Sequence, residues 1–87
     1  MKIGYKRAYF RIEDRGKGMY SGERVIKSKD YHGKILEGFF DKNNIHNGRL
    51  KVTVIEKEKD LITVITPNLF FGRTSIIGVK ESDLVFE

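Results

Sequence analysis

Arg49 to Thr66, RLKVTVIEKEKDLITVIT, is the stretch on which the fold is read. Val, Ile and Thr carry two heavy atoms on Cβ and suit a pleated strand better than a helix. Leu50, Val52 and Val54 alternate with Arg49, Lys51 and Thr53, which gives one apolar and one wet face. Past a charged break, Leu61, Ile62, Val64 and Ile65 are interrupted only by Thr63, the pattern of a strand covered on both faces. Glu58-Lys59-Asp60 is polar and short enough for a hairpin loop of two or three residues. The difference matters, because a one-residue slip exchanges the faces.

The same reading extends outward. Lys2 to Glu13 is expected to form a first strand and Met19 to Lys29 a second, with Val25 and Ile26 at its apolar centre. Arg15-Gly16-Lys17-Gly18 reads as the turn between them, and Asp30 to Gly33 as a second turn. Ser28 to Phe40 also has helical spacing, with Ser28 as a candidate cap. Gly33 and Gly38 oppose a helix at about 1 kcal/mol each, so a turn and then a strand over 34–40 is expected. Asp41 to Gly48 has loop composition. Pro67-Asn68 ends the second strand of the hairpin. Thr74 to Val79 is a further strand, Glu81 to Asp83 a turn or 3-10 turn, and Leu84 to Phe86 a terminal strand. Short strands separated by frequent turn signals predict one all-β domain over 1–87: a small barrel or rolled antiparallel sheet, with SH3-like architecture as the nearest analogy. Phe10, Ile12, Val25, Leu50, Val52, Val54, Val64 and Leu84 are the expected core.

A chain of 87 residues has room for one modest core and none for a second domain. Without cysteine, disulfides and Cys-based metal sites are excluded. No apolar run reaches the roughly 20 residues of a membrane span, and the opening MKIGYKRAYF has no secretory pattern. The expected location is the cytoplasm. Net charge is +5, unevenly spread: residues 1–34 hold ten Lys/Arg against four Asp/Glu, and residues 35–87 hold seven against eight. This asymmetry points to a polyanionic partner or an acidic protein surface; the alternative is that the charge serves solubility alone.

The sharpest candidate site lies in the first strand. Period-two alternation places Tyr5, Arg7, Tyr9 and Arg11 opposite the apolar Ala8, Phe10 and Ile12. Tyrosine rings stack on bases, and guanidinium groups pair with phosphates. Arg15, Lys17 and Arg24 are expected to extend this surface over the adjoining hairpin. Tyr–Arg alternation also occurs on solvated strands with no partner. Gly16-Lys17-Gly18 lacks P-loop spacing and reads as a turn. His32 and His46, both in loops, and Asp41-Lys42-Asn43-Asn44 fall short of zinc and calcium patterns, and no cofactor motif is present. Glu56, Glu58 and Asp60 alternate with lysines at a solvated hairpin tip, and no serine sits in a nucleophile elbow, so no enzyme activity is expected. Phe39-Phe40 and Phe70-Phe71 should each send one ring inward and one outward, as a lid or an interaction surface. The function expected is binding of single-stranded nucleic acid. The alternatives are a protein-interaction or inhibitor module, and a nucleotide site at an oligomer interface.

Overall fold

The computed structural model describes residues 6–87. Its strands, in chain order, are β1 (Lys6–Arg11), β2 (Glu13–Lys17), β3 (Glu23–Lys29), β4 (Ile35–Asp41), β5 (Ile45–His46), β6 (Arg49–Glu58), β7 (Leu61–Ile65), β8 (Ile76–Lys80) and β9 (Leu84–Phe86). Short 3-10 turns occupy Lys42–Asn44 and Glu81–Asp83. The fold is all-β. One antiparallel sheet runs β8-β7-β6-β1-β9, with β5 also on β6, and a second runs β2-β3-β4.

The central strand β6 carries the alternation of Arg49 to Val54. Leu50, Val52 and Val54 are buried, as are Ala8 and Phe10 of β1, Ile62 and Val64 of β7, and Ile77 and Val79 of β8. Ile26, Leu36 and Phe40 from the smaller sheet join the same cluster, so a single core holds both sheets. The hairpin loop is the two-residue Lys59-Asp60, closed by the Glu58–Leu61 pair, with Lys59 at a left-handed φ of 58°. Among the described residues, β7 has an apolar layer on one face only. Leu61, Thr63 and Ile65 are half-buried, because their face meets side chains of neighbouring strands, such as Ile76 opposite Ile65, and no second apolar layer of described residues.

The first half of the chain departs from expectation in its turn, its strand bounds and its core positions. Arg15, Gly16 and Lys17 belong to β2, not to a turn. A register shift between Asp14 and Lys17 accommodates Gly16 at a φ of 114°, so the glycine makes a bulge rather than a reversal. The reversal comes later, over 18–22, where the Gly18 N–H donates to the Glu23 carbonyl. As a result the strand expected over 19–29 starts only at Glu23, as β3, with Met19 and Tyr20 at the hairpin tip. In that register Ile26 takes the core position and Val25, expected in the core, is only half-buried; Ile12 is half-buried against the core.

The ambiguous segment 28–40 is a turn and then a strand. Gly38 shows why no larger residue would serve: a Cβ there would lie 3.0 Å from the Leu69 carbonyl oxygen and 3.1 Å from the Phe70 Cα. The segment around Leu69–Phe71 covers the outer edge of β4, where the Phe71 N–H donates to the Glu37 carbonyl. Phe70 is buried and Phe71 exposed, with Phe40 packed on Phe70 and the half-buried Phe39 edge-on to Phe71. Asp30 ties this layer together. Its buried carboxylate accepts the His32 and Lys34 N–H groups and a hydrogen bond from Arg73. The loop expected at 41–48 is structured as well. Asp41 caps the 3-10 turn through the Asn43 N–H, and β5 pairs with the start of β6 around Asn47-Gly48, at φ 52° and 76°. Asn-Gly with both residues left-handed is the strongest short hairpin signal a sequence carries; loop composition masks it here.

Candidate nucleic-acid interface

β1 sits between β6 and β9, and this topology builds the site. Arg7, Tyr9 and Arg11 point away from the core because Ala8 and Phe10 point into it. Their cross-strand partners on β6 are Thr53, Lys51 and Arg49. Antiparallel partners share a face, so Arg7, Tyr9, Arg11, Arg49 and Lys51 form one outer surface. His46 of β5 extends it, since it pairs with Arg49 and its ring meets Tyr9 edge-on at 5.7 Å. Tyr5 lies outside the described residues.

The other side of β1 brings acids. Glu87 donates its N–H to the Arg7 carbonyl, and its carboxylate lies 3.4 Å from the Arg7 guanidinium and from the Tyr9 hydroxyl. Asp83, one strand-turn earlier, lies 4.0 Å from Arg11. These pairs are open to solvent: the Arg7 and Arg11 side chains are 50% and 69% exposed. Exposed pairs of this kind contribute about 0–1 kcal/mol, so a phosphate can take the place of the carboxylate. Lys51 has no carboxylate within salt-bridge reach among the described residues. The Nε of Arg49 is a buried donor with no hydrogen-bond partner among them.

Arg15, Lys17 and Arg24 lie elsewhere, on β2 and β3 of the smaller sheet. Arg15 is held by Glu13 at 2.6 Å. The Nε of Arg24 donates to both carboxylate oxygens of Asp14 at 3.1 Å, and this hydrogen bond, opposed by burial, keeps the Asp14 pKa below its usual value. The expected positive surface is therefore two separate groups. The group on the larger sheet gains Arg49, Lys51 and His46, which the local pattern of β1 does not point to. Their signal is the wet face of the Arg49 to Thr53 run, and it becomes part of the site only through the β1–β6 pairing.

Beside Lys51 the surface has a notch. β1 occupies one edge of β6, so β5 and β7 share the other: β5 pairs with Arg49 and Leu50, and β7 starts at Thr53. The gap between them opens an indentation of about 260 Å³ lined by Arg7, Asn44, Lys51, Thr53, Ile65 and Pro67, among others. A second cleft of about 420 Å³ lies at the far end of β1, with Arg11, Lys27 and Lys29 facing Glu13 and Asp83; its charges are nearly balanced. No three His, Asp or Glu residues converge as metal ligands among the described residues. His32 packs its ring against Tyr31, whose hydroxyl donates to Asp60; that hydrogen bond to a carboxylate raises the Tyr31 pKa. No described helix is long and apolar enough to cross a membrane. No protein-family model, curated protein or solved structure matches the chain.

Proposed function

We propose that the chain is a non-enzymatic binding module whose outer β1–β6 face takes a polyanion, single-stranded nucleic acid in the first instance. The observation that carries this reading is the register: Arg11 beside Arg49 and Tyr9 beside Lys51, with His46 against the Tyr9 ring. Cations spaced along a strand pair suit successive phosphates, and an aromatic ring among them offers a stacking platform. The asymmetry of charge along the chain supports the same reading, since the arginines of β1 come from the basic first segment. Asp83 and Glu87 temper the surface without cancelling it, leaving Lys51 and Arg49 uncompensated.

The test is titration with single-stranded RNA, single-stranded DNA and duplex at two salt concentrations. Affinity for the single strand should fall with salt, at a log–log slope of about −0.7 per phosphate contacted. Tyr9→Ala should cost roughly 1–3 kcal/mol of binding with the fold intact by circular dichroism. Absence of binding to every nucleic acid at low salt would sink the reading.

One observation favours a second reading, docking on an acidic protein. The β2–β3 tip presents Met19 and Tyr20 at 74% and 73% exposure, and the Glu23 carboxylate holds the tip by accepting both their N–H groups. Lys17, Arg24 and Lys42 line the same loop. A braced apolar tip ringed by cations suits a pocket rimmed with carboxylates. If nucleic acid does not bind, this tip becomes the surface to mutate, with Tyr20→Ala as the first variant.

A further inference from the structure

Arg49 sits in the middle of a row of side chains that crosses the larger sheet. Its cross-strand partner on β1 is Arg11, and its partner on β5 is His46. Cross-strand partners share a face and stand about 5 Å apart at Cβ, so all three can converge on one group lying above Arg49. The edge-on contact of the His46 ring with Tyr9 places His46 on that outer face. Asp83, just before β9, flanks Arg11 at 4.0 Å and leaves its side chain 69% exposed. Arg49 has no carboxylate within salt-bridge reach among the described residues, and its Nε is a buried donor without an acceptor among them. Two arginines directly opposite each other repel, and a buried donor left unpaired is costly. One anion seated over the row removes both defects once Arg49 turns its guanidinium toward it.

We propose that this row holds a terminal phosphate monoester of a nucleic-acid strand, with the end base stacked on Tyr9. The proposal rests on the nucleic-acid reading above and names the part of the strand that the face grips. A phosphodiester inside a strand carries one negative charge and two non-bridging oxygens. A terminal monoester carries about −1.5 to −2 and three acceptor oxygens. Two guanidinium forks and an imidazole gathered in one row, rather than strung out along the strand, match the second group. The surroundings also fit an end. Two residues along β1, about 7 Å away, Tyr9 and Lys51 form the next row, with a ring for the end base and an ammonium for the following phosphate. In the other direction the basic surface is broken, because the cleft beyond Arg11 sets Glu13 and Asp83 among its lysines. A strand laid over β1 and β6 therefore meets attraction up to the Arg11–Arg49–His46 row and mixed charge past it.

The test compares four oligothymidines at low salt: a decamer with hydroxyls at both ends, the same decamer with a 5′-phosphate, the same with a 3′-phosphate, and a hydroxyl-ended dodecamer whose total charge closely matches that of the phosphorylated strands. At least one phosphorylated decamer should bind about tenfold more tightly than the hydroxyl-ended decamer, and more tightly than the dodecamer. The preferred end then gives the polarity of the bound strand. Arg49→Gln should abolish that preference. Arg11→Gln, at an exposed side chain, should reduce it with the fold intact by circular dichroism. Lys51→Gln should weaken every strand by a similar factor and keep the preference. In isotope-labelled protein, the Arg49 Nε–H resonance should shift further with the preferred decamer than with the dodecamer. If the strands bind but neither phosphorylated decamer does better than the dodecamer, or if the preference survives Arg49→Gln or Arg11→Gln undiminished, the terminal-phosphate site is overturned while the basic face stands. If no strand binds, the face is overturned and the site with it.

Discussion

Asp30 is the residue on which the turn at 30–34 and the segment after Phe70 both depend. Burial alone would raise its pKa, but the Lys34 N–H, the Arg73 guanidinium and the His32 N–H together outweigh that cost and hold it below the usual carboxylate range. A depressed folded pKa means stability that is fully present above the unfolded value and lost as pH falls through the folded one. Urea midpoints taken from pH 7 downward should therefore stay level until about pH 4 and then fall, and the Asp30→Asn variant should show a shallower fall. At neutral pH, Asp30→Ala should cost about 2–4 kcal/mol, because it leaves Arg73 and two amide donors without their acceptor. Among apolar residues, Val52→Ala should cost roughly 1–3 kcal/mol by equilibrium unfolding, since Val52 is almost fully buried at the centre of β6. Val52 is legible from alternation alone. Asp30 is legible only as a turn former, because its partner Arg73 is 43 residues away.

Strands come through the sequence well where alternation and β-branching agree, as in β6. They come through poorly where glycine has two uses. Gly16 reads as a turn and makes a bulge; Gly38 reads as a helix breaker, and its further role is to let the chain at Leu69–Phe70 approach β4. Gly38→Ala should destabilise by about 1–3 kcal/mol through that close approach, which thermal unfolding would measure, whereas substitution at an open strand position would change little. Asn47-Gly48 shows the reverse case, a local signal strong enough to define a hairpin within a stretch whose overall composition suggests only a loop. That hairpin matters to the site. Gly48→Val should disfavour the turn, since β-branched residues resist a φ of 76°. Loss of protection at the His46 and Arg49 amides in hydrogen exchange would report it, and the notch wall formed by Asn44 would lose its support.

At the scale of the whole molecule, charge that is segregated along the chain becomes mixed in space. The terminal strand β9 lies against β1 and delivers Asp83 and Glu87 to Arg11 and Arg7. Glu87→Gln should therefore strengthen oligonucleotide binding by a few-fold at low salt, and the gain should vanish at high salt as screening removes both attraction and repulsion. Arg15→Ala, on the smaller sheet, should leave that binding nearly unchanged, and a loss equal to that of Arg7→Ala would mean the two groups act together. The all-β class, most strand positions, the inward set of β1 and β6, and the outward direction of Arg7, Tyr9 and Arg11 are properties of the sequence by itself, because side-chain period and β-branching act within a few residues. Which strands lie side by side was decided by tertiary structure. Pairing β1 with β6 joins Tyr9 to Lys51, pairing β1 with β9 sets acids beside its arginines, and sharing one edge of β6 between β5 and β7 opens the notch. The pairings of β1 link residues tens of positions apart and are selected by burial of one common core, which no local pattern encodes; the hairpins of β5 and β7 with β6 are local, and they share an edge because β1 holds the other.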